Sequence, residues 1–280
     1  MKKQNCGISV LIITLNEERN MPECLAYLDW CDDVVVFDSF STDRTEEITR
    51  QAGVRFHQRK FDDFASQRNA ALTVEFKHPW VIMLDADEQI PPELLAEMTR
   101  VTARASDDVD LFRMRRKDMF MGRWIKGASG YPTWFGRLIR VGKVTFQREV
   151  HEDCVPEGQE KRLKEHLIHY PFSKGLNDWF ARHNRYSTVE AELRLREAQE
   201  QVSWLDIFSD DPARRRKAYK HCAFMLPFRP LLMFVALFCI RLGMFEGRPG
   251  LLYCLFRATY EYMIDLKVME LKRRAKGLAI

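Results

Sequence analysis

WVIMLDADE (80–88) sets five apolar residues directly against three carboxylates, Asp85, Asp87 and Glu88, with no glycine or proline between them. A continuous apolar run, rather than an alternating one, is the pattern of a strand covered on both faces, as in a parallel sheet. Towards the N-terminus, ISVLIIT (8–14) and DVVVFD (33–38) read the same way, and VRFH (54–57) is a shorter third run. The segments between them carry helix signals. A short helix is expected around 20–30, and Ser41-Thr42-Asp43 caps TEEITRQAG, closed by Gly53. A further helix is expected over 62–74, and Pro91-Pro92 opens ELLAEMTRVTARA. Strand and helix alternating in this way predict an α/β fold, a mostly parallel sheet with helices on both faces. Sheets of that kind bind ligands at the carboxyl ends of their strands. Three of the four strands end there in polar groups: Thr14, Asn16 and Glu17; Asp38; Asp85 and Asp87.

The rest of the chain adds to this frame. Residues 110–170 alternate short β-like runs (LFRMRR, WFGRLIRV, VTF, HLIHY) with glycine and proline, which predicts antiparallel additions to the sheet, and 176–201 reads as a polar amphipathic helix. At 280 residues, 46% hydrophobic and 30% charged, the composition excludes a disordered chain and a small disulfide scaffold. Seven cysteines without a C-x-x-C pair argue against a disulfide framework or zinc ribbon and favour a reducing compartment. The apolar stretch after MKKQNC is short and lacks a small-residue cleavage site, so it is read as a core strand rather than a signal peptide. Residues 212–280 hold 14 Lys+Arg against 4 Asp+Glu, a net of +10, whereas residues 1–211 carry −6. The expected organisation is a catalytic domain over 1–205 and a basic, apolar helical segment over 206–280.

Asp85-Ala86-Asp87 places two carboxylates two residues apart; in an extended segment both face the same way and suit one hard cation, Mg²⁺ or Mn²⁺. The competing structural reading is a solvated acidic turn before a helix. Asp38 can accept from a base N–H or a ribose hydroxyl. Asp43 is expected to cap its helix, and Arg68 to meet a phosphate or form a surface ion pair.

The order Thr14-Leu15-Asn16-Glu17, VVVFDSFSTDRT, QRNAAL and WVIMLDADE resembles the family 2 inverting glycosyltransferases of GT-A fold over roughly the first 100 residues. Through VHED (150–153) and the C-terminal segment the chain looks most like the lipopolysaccharide core β-glucosyltransferase type. The resemblance implies that Thr14, Asn16, Glu17, Asp38 and Arg68 line a nucleotide pocket, that Asp85 faces the ribose and that Asp87 holds the divalent metal. It implies a nucleotide-diphosphate sugar as donor, a UDP-sugar first. An inverting enzyme needs one general base for the acceptor hydroxyl. Within REVHEDC the resemblance favours Glu152, with Glu149 and Asp153 as alternatives. His169 is a candidate third metal contact. Trp134, Phe135 and Trp124 are candidates for stacking on a sugar, with Phe135 weighted towards the core. Residues 126–131 are expected to form a mobile loop near the acceptor.

Arg214-Arg215-Arg216-Lys217 precede CAFMLPFRPLLMFVALFCI (222–240), which Pro227, Arg229 and Pro230 interrupt. The uninterrupted run is too short to span a bilayer. An interfacial helix on an anionic surface fits better, and nucleic acid fits worse because the basic residues are interleaved with aliphatics and Phe. A buried helix pair is the structural alternative. The expectation is a peripheral or monotopic protein on the cytoplasmic face of the inner membrane. It would act on a lipid-linked glycan such as lipopolysaccharide core, with self-association left open. Two other classes compete. A sugar nucleotidyltransferase would need a glycine-rich loop after the first strand, where Thr14-Leu15-Asn16-Glu17 stands. A non-catalytic membrane-associated nucleotide-sugar-binding protein would keep the fold without turnover.

Overall fold

Ile8, Val10 and Ile12 turn to one side of strand β1 (Ile8–Thr14) and Leu11 to the other, and all four are fully buried. Burial on both faces is what the unbroken apolar run requires, and each such side chain contributes about 1.5–3 kcal/mol when removed from water. Strands β2 (Val34–Asp38), β3 (Arg55–Gln58) and β4 (Trp80–Asp85) join it in the order β3-β2-β1-β4, every pair parallel. One face of this sheet packs Val10, Ile12, Val36, Ile82 and Leu84 against three helices, α1 (Met21–Ala26), α2 (Thr45–Gln51) and α4 (Pro92–Thr102). The other face packs Leu11, Val35, Val81 and Met83 under α3 (Phe64–Ala71) and the hairpin of β9 (Val144–Gln147) and β10 (Asp153–Pro156). The helices before and after α3 thus lie on one face and α3 on the other, and the strand order reverses between β1 and β4. That is the switch point at which such sheets open a crevice.

Beyond β4 the sheet continues antiparallel, as the alternating middle segment predicts. β8 (Trp134–Arg140) pairs with β4 and with β6 (Val109–Phe120); β6 runs parallel to β11 (Gln159–His169), and β5 (Glu88–Gln89) closes the edge on β11. β7 (Arg123–Trp124) is a two-residue strand.

The structure describes residues 6–147, 153–198, 203–211, 214–215, 218–219, 221–222 and 228–280 of the computed structural model. The chain divides into a unit of residues 1–119 with 131–174 and a unit of 120–130 with 175–280, so the expected boundary at 205/206 falls inside the second unit. That second unit is helical. Helix α5 (Leu176–Ala198) packs on the long α7 (Gly247–Ala275) through Trp179 and Phe180 against Phe256, and Arg194 binds Glu261 and Asp265 at 2.6 and 2.9 Å. Arg229, at the start of α6 (Arg229–Val235), reaches the same Glu261 at 3.0 Å. A π-turn over Ala236–Ile240 and a 3₁₀ turn over Gly243–Glu246 then bend the chain by 72° into α7. Gly243 and Gly250 permit that bend: a Cβ on Gly250 would lie 2.5 Å from the Glu246 Cβ, and one on Gly243 2.9 Å from the Leu237 carbonyl oxygen. Among the described residues no single helix is long and apolar enough to cross a membrane; the bent pair meets that length and composition only jointly.

Candidate active site

The loops leaving β1 and β2 are tied into one polar cluster. Thr14 Oγ1 donates to Asp38 Oδ1 at 2.9 Å, and Ser41 donates to the same carboxylate through its backbone N–H (2.8 Å) and hydroxyl (2.5 Å). Asn16 adopts a left-handed φ of 56°, which asparagine tolerates better than most residues, and its Oδ1 accepts from the Thr42 N–H at 2.8 Å. Glu17 is fixed by its backbone N–H on Thr45 Oγ1 (2.8 Å) and by Lys174, whose Nζ lies 2.7 Å from its carboxylate. Burial pushes the Glu17 carboxyl above its ordinary range, and the Lys174 contact offsets only part of that. The N-cap position of α2 is Arg44, not Asp43; Asp43, one residue earlier, accepts from the Thr45 N–H at 3.0 Å and also holds the Glu18 N–H.

At the end of β4 the two aspartates go separate ways. The extended-segment expectation puts them on one side, but the strand stops at Asp85, and residues 86 and 87 form a turn into β5. Asp85 faces Arg137, which donates to its Oδ2 at 2.6 Å and to Glu88 at 2.8 Å, and Arg68 at 3.6 Å. Burial opposes its ionisation, but the Arg137 and Arg68 guanidinium groups outweigh burial and hold the carboxyl well below the usual range. The Arg68 guanidinium also lies 5.5 Å over the Phe146 ring, so this arginine is an inward ion-pair partner rather than a surface one.

Asp87 meets His169. The antiparallel pairing of β5 with Ile168 and His169, and the Tyr170 N–H donated to the Asp87 carbonyl at 2.9 Å, bring them together. Asp87 Oδ2 stands 3.4 Å from His169 Nε2, while His169 Nδ1 is 2.7 Å from Asp118 Oδ1, itself held by Arg116 at 2.9 Å. A carboxylate on one ring nitrogen orients the other, the arrangement found behind metal-bound histidines. Burial and Arg116 disfavour the charged imidazole, but Asp87 and Asp118 prevail and the pKa rises to about 9. Among the described residues there is no cluster of three or more His, Cys, Asp or Glu placed to hold a metal. The protein side of such a site is two groups, one hard oxygen and one imidazole. That donor set suits an ion completing its shell with phosphate oxygens and water.

Other sequence-predicted residues fare unequally. Glu149 and Glu152 lie outside the described residues, and Asp153 is described only as the first residue of β10. Trp134 lies under two arginine guanidinium groups, Phe135 packs beneath Arg116 at 4.5 Å, and Trp124 meets Lys126 at 5.5 Å. The loop expected to be mobile is pinned instead. Glu246 accepts from the backbone N–H groups of Lys126 and Gly127 at 2.6 Å each, and Ile125 and Ala128 are buried. Sequence reasoning missed Arg137, Arg116, Asp118 and Lys174. Arg137 alone carried a signal, as a charge between Phe135 and Ile139 in an otherwise apolar alternation.

A sequence profile described as "Glycosyl transferase family 2" matches residues 9–155, more than half of the chain. The lipopolysaccharide core biosynthesis glycosyltransferase LpsC of Rhizobium meliloti is 28% identical over 273 residues, 94% of this chain and 92% of that protein. An undecaprenyl-phosphate 4-deoxy-4-formamido-L-arabinose transferase of Edwardsiella ictaluri is 30% identical over 129 residues, 41% of this chain and 40% of that protein. Among solved structures, S. aureus TarS 1–349 aligns over 91% of this chain and 90% of that one, with a TM-score of 0.44 and 16% identity.

Proposed function

We propose that this chain, which belongs to glycosyl transferase family 2, is a metal-dependent inverting transferase that moves a hexose from a nucleotide-diphosphate sugar to a lipid-linked glycan. The observation that carries the reading is the split of the DADE turn. Asp85 is committed to arginines and Asp87 to the oriented His169, both at the switch point of a β3-β2-β1-β4 sheet. LpsC, similar along nearly the whole chain, supports lipopolysaccharide core as the acceptor class.

In this mechanism Thr14, Asn16 and Asp38 receive the nucleotide, and Asp85 its ribose. Glu17 and Lys174, paired at 2.7 Å, form the wall beside them. Arg68 and Arg137 keep Asp85 ionised. Asp87 and His169 Nε2 would hold Mg²⁺ or Mn²⁺, which supplies charge neutralisation to the leaving diphosphate. His169 must be neutral to do so, and Asp118 on Nδ1 fixes the tautomer that leaves Nε2 free to coordinate. The general base is assigned to Glu152, with Glu149 and Asp153 as alternatives. It takes the acceptor hydroxyl proton as that oxygen bonds to the anomeric carbon and the bond to the diphosphate breaks. Attack opposite the leaving group turns an α-configured donor into a β-linkage.

The second unit is assigned to the cytoplasmic face of an anionic inner membrane. Phe228, Ile240 and Phe245 are 78, 75 and 71% exposed, within a segment of net charge +10.

The test is an end-point assay with a panel of nucleotide-diphosphate sugars, Mn²⁺ or Mg²⁺, and membranes containing lipopolysaccharide core. Acceptor-dependent release of one nucleoside diphosphate, abolished by chelation, is expected. Release that is equal without acceptor, or unaffected by chelation, contradicts the proposal.

A further inference from the structure

On the face of the sheet that carries α3 and the β9–β10 hairpin, one cross-strand row differs from its neighbours. Trp134 of β8 is paired with Arg115 of β6, and Arg115 with His166 of β11. The preceding row is covered: Gly136 stands opposite Arg113, a Cβ on Gly136 would lie 2.9 Å from the Cys154 side chain, and Arg113 donates to the Cys154 carbonyl at 2.9 Å. In the Trp134 row the side chains meet one another instead. The Arg115 and Arg162 guanidinium groups lie 5.1 and 4.9 Å from the Trp134 ring centroid. Tyr131 stacks on His166, with centroids 5.7 Å apart; its hydroxyl is 2.8 Å from His166 Nε2 and accepts from Arg115 at 2.9 Å.

The two arginines of this row keep their charge on aromatic and carbonyl partners. Among the described residues neither Arg115 nor Arg162 has a carboxylate partner. Arg115 spends its hydrogen bonds on Tyr131 and the Lys164 carbonyl, and Glu160 on the same strand is engaged by Arg113 at 2.7 Å. Two cations held on one aromatic ring, rather than on acids, keep their charge for an outside anion. The half-buried indole beside them sets an apolar surface next to this charge. Position fits this use. β8 runs antiparallel to β4, with Leu138 opposite Ile82; Trp134 lies four residues back along β8 and Asp85 three residues forward along β4, towards the same edge.

We propose that Trp134, Arg115 and Arg162, with Tyr131 and His166 fixing Arg115, form an acceptor subsite that binds an anionic saccharide, a sugar ring carrying a phosphate. The assignment rests on the transferase reading above and specifies its acceptor. A guanidinium pair grips the phosphate in the bidentate manner open to arginine, and the indole takes the apolar face of the ring.

The test uses the full chain labelled with 5-fluorotryptophan, the Trp134 resonance being assigned with Trp134→Phe. It is titrated separately with glucose 6-phosphate, glucose, inorganic phosphate and phosphatidylglycerol vesicles. The Trp134 resonance is expected to shift saturably with glucose 6-phosphate, at least about tenfold more weakly with glucose or inorganic phosphate, and not with vesicles. Arg115→Gln and the exposed Arg162→Gln are each expected to weaken the phosphosugar response about tenfold, the loss of one charge-assisted contact. Equal responses to inorganic phosphate and glucose 6-phosphate, a response to vesicles, an unchanged Arg162→Gln titration, or a silent Trp134 would each overturn the subsite. Calorimetric binding of nucleoside diphosphate by the same samples separates the two levels. Retained binding with a silent Trp134 sinks the subsite alone, whereas absent binding in folded wild-type protein sinks the transferase reading.

Discussion

Strand β2 has a buried carboxylate at each end, and the two are satisfied by different chemistry. Asp33, immediately before the strand, is held by Ser9 at 2.5 Å, the Lys77 N–H at 2.8 Å and the Arg55 guanidinium at 2.6 Å. Asp38, its last residue, accepts among the described residues only from the neutral groups of Thr14, Ser41 and Gln58. One end of the sheet is closed by a cation from the chain itself. At the other end, cations are assigned to Asp85 and Glu88, while Asp38 and Asp87 are set by hydroxyl, amide and imidazole groups that can also serve a ligand. On the proposed function, identical side chains do structural work at the amino ends of the strands and chemistry at the carboxyl ends, where open sheets bind their ligands.

Substitutions can break this contrast, and the largest effect belongs to the carboxyl end. Asp87→Ala should lower turnover by about 10³-fold or more while thermal unfolding stays close to wild type, because the residue is assigned to charge neutralisation rather than to packing. Glu152→Gln should lower turnover by about 10²–10⁴-fold and leave donor binding intact; near-normal turnover would move the base to Glu149 or Asp153.

At the amino end the signs reverse. Asp33→Asn should cost about 1–2 kcal/mol in urea unfolding, through weakened hydrogen bonds to a buried carboxylate whose partner Arg55 stays partly solvated, with little change in turnover per folded molecule. Burial raises the Asp33 pKa, but Ser9, the Lys77 N–H and Arg55 outweigh it, so the folded value is lowered. Stability from Asp33 is therefore fully present above the unfolded carboxylate value near ~3.9 and lost as pH falls through the depressed folded value. The gap in urea midpoint between wild type and Asp33→Asn should hold from neutral pH down to about 5 and narrow below that.

The smallest effect sharpens the contrast between the sheet and the helical unit. Replacing Phe228, Ile240 and Phe245 together by Ser should reduce sedimentation with phosphatidylglycerol liposomes about tenfold, with turnover on a soluble acceptor fragment retained. Undiminished sedimentation would remove the membrane role from these side chains.

How much of this was legible in the sequence follows from how far apart the interacting residues are. Three of the four parallel strands, β1, β2 and β4, stand in the sequence as unbroken apolar runs because both their faces are covered, whereas β3, at the edge, is half-buried to exposed and mixed in composition; the carboxyl-end residues follow from where those runs stop. The partners do not. Arg137 finds Asp85 across 52 positions and His169 finds Asp118 across 51, through strand pairings that leave no local periodicity. The 126–130 loop reads as mobile because its glycines and serine carry turn signals, whereas its anchor, Glu246, lies more than 100 positions away. The DADE spacing was legible but its geometry was not: the two-residue strand β5 forms only because β11 offers it an edge, and that pairing turns Asp87 away from Asp85.

The most direct test of the central claim is calorimetric titration of nucleoside diphosphates into wild-type, Asp87→Ala and Asp33→Asn proteins, each with and without Mn²⁺. Wild type and folded Asp33→Asn are expected to bind one nucleotide in a metal-dependent manner, with the metal dependence lost in Asp87→Ala. Metal-dependent binding that survives in Asp87→Ala, or that disappears in folded Asp33→Asn, would contradict the division of labour between the two ends of the sheet.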